Sequence, residues 1–106
     1  MDGLLHQVLT EMRSRLEAVY GDRLVDLVLF GSQARGDAEP GADIDLLVVL
    51  KGEVAPCEEI ERTIEDTARI SLEHDVVVCC VFLSEDRYRR EQSPLLLNVR
   101  REGVAV

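Results

Sequence analysis

Gly31-Ser32-Gln33-Ala34-Arg35-Gly36-Asp37-Ala38-Glu39-Pro40-Gly41-Ala42-Asp43-Ile44-Asp45 joins two apolar runs, Leu24 to Phe30 and Ile44 to Leu50. Both runs are short and bounded by turn residues, which predicts two strands, the first buried on both faces. Gly31-Ser32 stops the first. Ser32 to Arg35 has the length of a short helix with Ser32 at its cap, and Gly36 to Gly41, with Pro40 inside it, predicts a loop. Asp43 and Asp45 alternate about Ile44, so a strand sets both carboxylates on one face with their Cα atoms about 6.6 Å apart.

Two chemical devices meet in this stretch. A Gly-Ser turn between a buried strand and a helix presents backbone N–H groups and a hydroxyl at a positive helix end, a setting that suits a phosphate. Carboxylates on one face at the start of an apolar strand repel each other unless a cation sits between them. Magnesium fits, being hard and commonly held by one or two carboxylates plus substrate phosphates. A Gly-Ser turn alone is usually a cap, and an Asp-x-Asp alone is usually solvated. Together at this spacing they imply a nucleoside triphosphate.

Upstream, Leu4, Leu5, Val8, Leu9, Met12, Leu16, Val19 and Tyr20 recur at helical spacing before Gly21, which predicts an amphipathic helix over residues 2 to 20. Downstream, Pro56 opens a second long helix, in which Cys57, Ile60, Ile64, Ala68 and Leu72 hold the period to about Glu73 and the acids face solvent. Val76 to Leu83 predicts a third strand. Ser84-Glu85-Asp86 is a capped helix start, Ser93-Pro94 restarts a helix through Leu95 to Arg101, Gly103 is its C-cap, and Val104-Ala105-Val106 suits a short edge strand. This order gives an α/β (α+β) class: a single-layer mixed sheet of three to four strands backed by helices.

The chain has 106 residues, 46% of them hydrophobic, enough to fill the core of one domain, 1–106, without a metal or disulfide staple. No apolar run approaches the length of a spanning helix, and Met1 to Gln7 lacks the pattern of a signal peptide. Neither a membrane nor a secreted protein is expected. The three cysteines form neither a disulfide framework nor a zinc spacing, which points to a reducing cytoplasm; Cys79 and Cys80 read as small core residues. Twelve basic and 21 acidic residues give a formal charge of -9, which opposes unspecific binding of nucleic acid. Arg87, Arg89, Arg90, Arg100 and Arg101 cluster between residues 85 and 102; they read as a solvated helical face, with an acidic partner surface as the other reading. His6 and His74 lack a second ligand at helical or strand spacing, so surface or cap roles are expected.

Residues 31 to 48 resemble the signature of the DNA polymerase β-like nucleotidyltransferase superfamily, a Gly-Ser pair followed after a fixed gap by Asp-x-Asp and apolar residues. The details Arg35-Gly36 and Asp43-Ile44-Asp45-Leu46-Leu47-Val48 resemble the minimal nucleotidyltransferases, single small domains often paired with a helical HEPN-type toxin. The N-terminal helix, the third strand and the tail Ser93-Pro94-Leu95 … Val99-Arg100-Arg101-Glu102-Gly103 extend the likeness over most of the chain. The resemblance implies that Gly31 and Ser32 hold the triphosphate of ATP or another nucleotide, with Arg35 as a cation near the phosphates. It implies that Asp43 and Asp45 hold two Mg²⁺ ions in the active complex, with Asp75 the candidate third carboxylate of the catalytic and metal-binding set, on a face shared with Val77, Cys79 and Val81. The reaction implied is transfer of AMP from ATP to a hydroxyl supplied in trans, the acceptor being a partner HEPN-type toxin and this chain its antitoxin. Two alternatives stand beside it: a catalytically degenerate antitoxin that neutralises by binding, and an aminoglycoside or nucleic-acid nucleotidyltransferase that forms a homodimer to build its acceptor cleft.

Overall fold

The computed structural model describes residues 3–106. Its elements in chain order are α1 (Gly3–Tyr20), a 3₁₀ turn (Gly21–Arg23), β1 (Leu24–Phe30), α2 (Ser32–Arg35), β2 (Ile44–Leu50), α3 (Pro56–Glu73), β3 (Val78–Ser84), α4 (Glu85–Arg90), α5 (Pro94–Glu102) and β4 (Val104–Ala105). Asp2, assigned to the first helix from the sequence, lies outside the described residues. The strands form one mixed sheet in the order β3-β2-β1-β4. β1 pairs antiparallel with β2 and β4, whereas β2 and β3 run parallel, so the long helix α3 serves as the crossover that parallel neighbours require.

Leu46 to Leu50 are fully buried because helices cover both faces of the sheet. One face packs Leu27, Leu29, Leu46 and Val48 with α1 residues such as Val8, Met12 and Leu16 and with Ile70 of α3. The other packs Val28, Leu47, Val49 and Leu83 with Leu96 and Val99 of α5. Burial of this kind stabilises by about 25 cal/mol per Å² of apolar surface removed from water, and it fixes the alternation of β2. Asp45 therefore shares its face with Leu47 and Val49, the α5 face.

Two caps form as the sequence predicts: Ser84 Oγ accepts from the N–H of Arg87 at 3.2 Å, and Ser93 Oγ accepts from the N–H of Leu96 at 3.3 Å. Gly103 follows α5 as its C-cap in extended geometry, since the chain must enter β4 at once.

The reading of α3 needs correction. Its buried residues are Glu59, Thr63, Thr67 and Ile70, while Ile60, Ile64 and Leu72 are exposed. The apolar period and the buried face differ because polar groups find partners inside. Tyr20 Oη donates to Glu59 at 2.9 Å, Arg62 and Arg23 approach the same carboxylate at 3.1 and 3.9 Å, and Thr63 and Thr67 donate their hydroxyls to carbonyls four residues back. A buried polar group satisfied in this way loses most of its desolvation cost.

Candidate active site

The antiparallel register sets Phe30 opposite Asp45, so the turn leaving β1 starts beside the second carboxylate. Gly31 makes that turn at φ 75°, in the left-handed region that glycine enters freely. A Cβ at Gly31 would lie 2.5 Å from Asp45 Oδ2, so glycine is required by space as well as by backbone geometry. The N–H groups of Ala34 and Arg35 donate to the Gly31 carbonyl at 3.1 and 3.2 Å. Those bonds make Gly31 the residue that caps α2, where the sequence predicted Ser32; Ser32 instead takes the first helical position. The first-turn amides of so short a helix have no acceptor one turn back within it.

Gln33 Nε2 donates to the Ala42 carbonyl at 3.3 Å, and the Ala42 N–H donates to the Glu39 carbonyl at 3.0 Å. The loop is thereby folded back on α2, and it delivers Asp43 to the residue just before β2. Ile44 N–H then donates to the Val77 carbonyl at 2.8 Å, which ties the start of β2 to the chain entering β3. Asp43 is exposed and Asp45 half-buried. Burial, and then the charge of Asp43, raise the Asp45 carboxyl above its ordinary range; among the described residues no basic side chain offsets them.

Cys79 lies near the pair. The parallel register places it beside Asp45, and its thiol donates to Asp43 Oδ2 at 3.7 Å. Burial raises the thiol pKa, with Asp43 and Asp45 adding to the effect. The sequence assigned Cys79 to the core. The missed signal was its alternation with Val81 and Leu83, which puts it on the Asp45 face, whereas Cys80 faces the α1 and α3 core with its thiol pushed up to about 12 by burial.

Asp75 lies outside β3. β3 begins at Val78, not Val76, and Asp75 stands in a left-handed turn at φ 52°, exposed at the rim of a hollow formed with Gln33, Pro40, Gly41 and Ile44. The strand alternation that would have aligned it with Cys79 does not reach it. Arg35 ends α2, bonded to Asp37 at 3.2 Å and Glu102 at 3.3 Å, so it clasps α5 to the turn. His74 meets Glu11 at 2.7 Å, and with Glu73 their ligand atoms lie within 4.8 Å of one another. Tertiary folding supplies there the partner that helical spacing did not, in a trio that includes neither Asp43 nor Asp45.

The pair fits a divalent cation on its own chemistry: two interacting carboxylates, one of them disfavoured as an anion by burial and by its neighbour, beside the turn that Gly31 makes against Asp45. Fold and site together define a nucleotide-transferring enzyme. Residues 5–93 match the nucleotidyltransferase domain family, and the chain belongs to that family. Its relatives in Methanocaldococcus jannaschii include "Putative protein adenylyltransferase MJ0141", 31% identical over 72 residues that make up 68% of this chain and 72% of the relative. "Putative protein adenylyltransferase MJ1305" is 32% identical over 97 residues, 92% of this chain and 57% of that one. Among solved structures, a chain of a toxin-antitoxin crystallised with AMP-PNP superposes with a TM-score of 0.67 at 20% identity, over 91% of this chain and 69% of its own. A protein described as "a putative nucleotidyltransferase from Sulfolobus solfataricus" superposes with a TM-score of 0.57 at 24% identity, over 96% of this chain and 75% of its own. At these identities the likeness is one of fold.

Proposed function

We infer that the protein transfers AMP from ATP to a hydroxyl group of a second protein, a toxin that this chain neutralises. The observation that carries the reading is the carboxylate pair Asp43 and Asp45 against the Gly31-Ser32 turn. The amides at the start of α2 and the Ser32 hydroxyl hold the triphosphate, and the missing side chain of Gly31 lets it approach Asp45. Asp43 and Asp45 hold magnesium, which when bound supplies neutralisation of charge on the attacking and leaving oxygens. The acceptor oxygen forms a bond to the α-phosphorus in line with the bond that breaks, its proton passes to solvent or to a carboxylate, and pyrophosphate departs. The protein supplies position and charge rather than a nucleophile of its own.

The choice of AMP and of a protein acceptor draws on the relatives named as protein adenylyltransferases and on the structural neighbour crystallised with AMP-PNP in a toxin-antitoxin. Intact-mass spectrometry of the partner after incubation with ATP and magnesium tests it. Addition of AMP to a hydroxyl-bearing residue is the expected result; label carried instead by RNA or a small molecule would reassign the acceptor.

Asp75, set in a turn before β3 and not on the strand, favours a second reading in which neutralisation comes from covering the toxin. Asp43→Asn/Asp45→Asn separates the two, since protection of cells by that variant belongs to the second reading alone.

A further inference from the structure

We propose that Glu11, Glu73 and His74 form a zinc site that staples α1 to the end of α3, separate from the carboxylate pair of the transfer site.

Three observations carry it. The ligand atoms of the trio lie within 4.8 Å of one another, and His74 Nε2 stands 2.7 Å from Glu11 Oε2 across 63 residues of chain. The imidazole is held by the fold: its side chain is 17% exposed, and its backbone N–H donates to the Ile70 carbonyl at 3.2 Å as the C-cap of α3. The second observation is an excess of charge. One carboxylate satisfies an imidazole N–H, yet Glu73 brings a second, and Arg69, which approaches it at 3.4 Å, is shared with Asp66 at the same distance. Two carboxylates at one imidazole repel each other until a cation joins them. Thirdly, the Glu11 and Glu73 side chains are 43% and 49% exposed, which leaves an ion an open path from solvent.

The donor set decides the metal class. One imidazole nitrogen with two carboxylate oxygens suits zinc, whereas magnesium takes oxygen donors alone. Three protein ligands and one water complete a tetrahedron. As zinc binds, Nε2 gives its lone pair to the metal, the proton shared with Glu11 moves to Nδ1 or leaves to solvent, and no electron changes hands. The ion then fixes the turn between α3 and β3 to α1. That turn leads to Val77, whose carbonyl accepts from the Ile44 N–H at 2.8 Å, so the staple steadies the frame that carries Asp43.

The test is a zinc titration of the whole chain in the Asp43→Asn/Asp45→Asn background, which removes the transfer pair from the count. The readouts are the imidazole nitrogen resonances, with His6 as the internal reference, and Tm. Zinc should shift the His74 Nε2 resonance, leave those of His6 in place and raise Tm by several degrees; magnesium should do neither. Glu11→Gln and Glu73→Gln, each added to that background, should weaken zinc binding at least about 10-fold and reduce the rise in Tm. A His74 resonance that zinc does not move, or zinc affinity unchanged in both Gln variants, would overturn the proposal and leave an ordinary ion pair. Neither result bears on transfer, which rests on Asp43 and Asp45.

Discussion

Gly31 and Asp45 constrain each other, and the tightness of that contact makes both sensitive to substitution. Gly31→Ala puts a methyl group where Asp45 Oδ2 now lies and forces a left-handed backbone on alanine; the expected cost is about 2 kcal/mol, read as a lowered Tm, together with loss of transfer. Asp43→Asn and Asp45→Asn should each reduce transfer about 100-fold or more, a few kcal/mol of transition-state stabilisation, with circular dichroism unchanged. Stability should respond to pH in a defined direction. Because burial and Asp43 raise the Asp45 carboxyl, the folded chain favours its protonated form. Its contribution to stability is complete below the ordinary carboxylate range and is lost as pH rises through the folded value. At neutral pH, Asp45→Asn should therefore melt higher than wild type in the absence of divalent cation, and a lower melting point would contradict the repulsion. The closeness of Gly31, Asp43 and Asp45 was legible because it is written in local spacing. The place of Cys79 and the Arg35–Glu102 pair were not: the first depends on which strand lies beside β2, and the second on the tail that Glu102 brings to Arg35.

At the scale of elements, α3 shows how polarity and burial part company. Its apolar residues Ile60 and Ile64 remain half-exposed while Glu59, Thr63 and Thr67 are inside, because Tyr20 and two arginines satisfy Glu59 and the threonines satisfy themselves along the helix. Tyr20→Phe removes the donor and leaves part of a buried carboxylate unpaired, which should cost about 1 to 3 kcal/mol in denaturant unfolding, with transfer unaffected. All four strands, the long helices and both serine caps were readable from the sequence, since periodicity and turn residues act locally. The facing of α3 was not, since a carboxylate is buried only when a tyrosine 39 residues away arrives to meet it. Asp75 was misplaced for a related reason: its left-handed turn begins the return to the sheet and postpones β3 to Val78.

For the whole molecule, charge and exposed apolar surface are distributed unequally. The excess of acids over bases keeps the surface unfavourable to a phosphate backbone, in line with the protein acceptor proposed above. The arginines of α4 are engaged locally, Arg87 with Glu91, Arg89 with Glu85 and Arg90 with Asp86. Arg89→Glu/Arg90→Glu should accordingly leave transfer and Tm where they are; weaker, salt-dependent transfer to the partner would instead make α4 part of its docking surface. The outer side of β3 presents a different character, a hollow edged by Pro56, Ile60, Val81 and Leu95, on the strand that also carries Cys79.

The central claim is that Asp43 and Asp45, set against the Gly31-Ser32 turn, transfer a nucleotide to an acceptor in trans. The direct measurement is incubation of the purified protein with α-phosphate-labelled ATP, a divalent cation and lysate of its source organism, beside the Asp43→Asn/Asp45→Asn variant. Label on a single protein with wild type, and none with the variant, is the predicted result. Equal labelling by both proteins would contradict the claim.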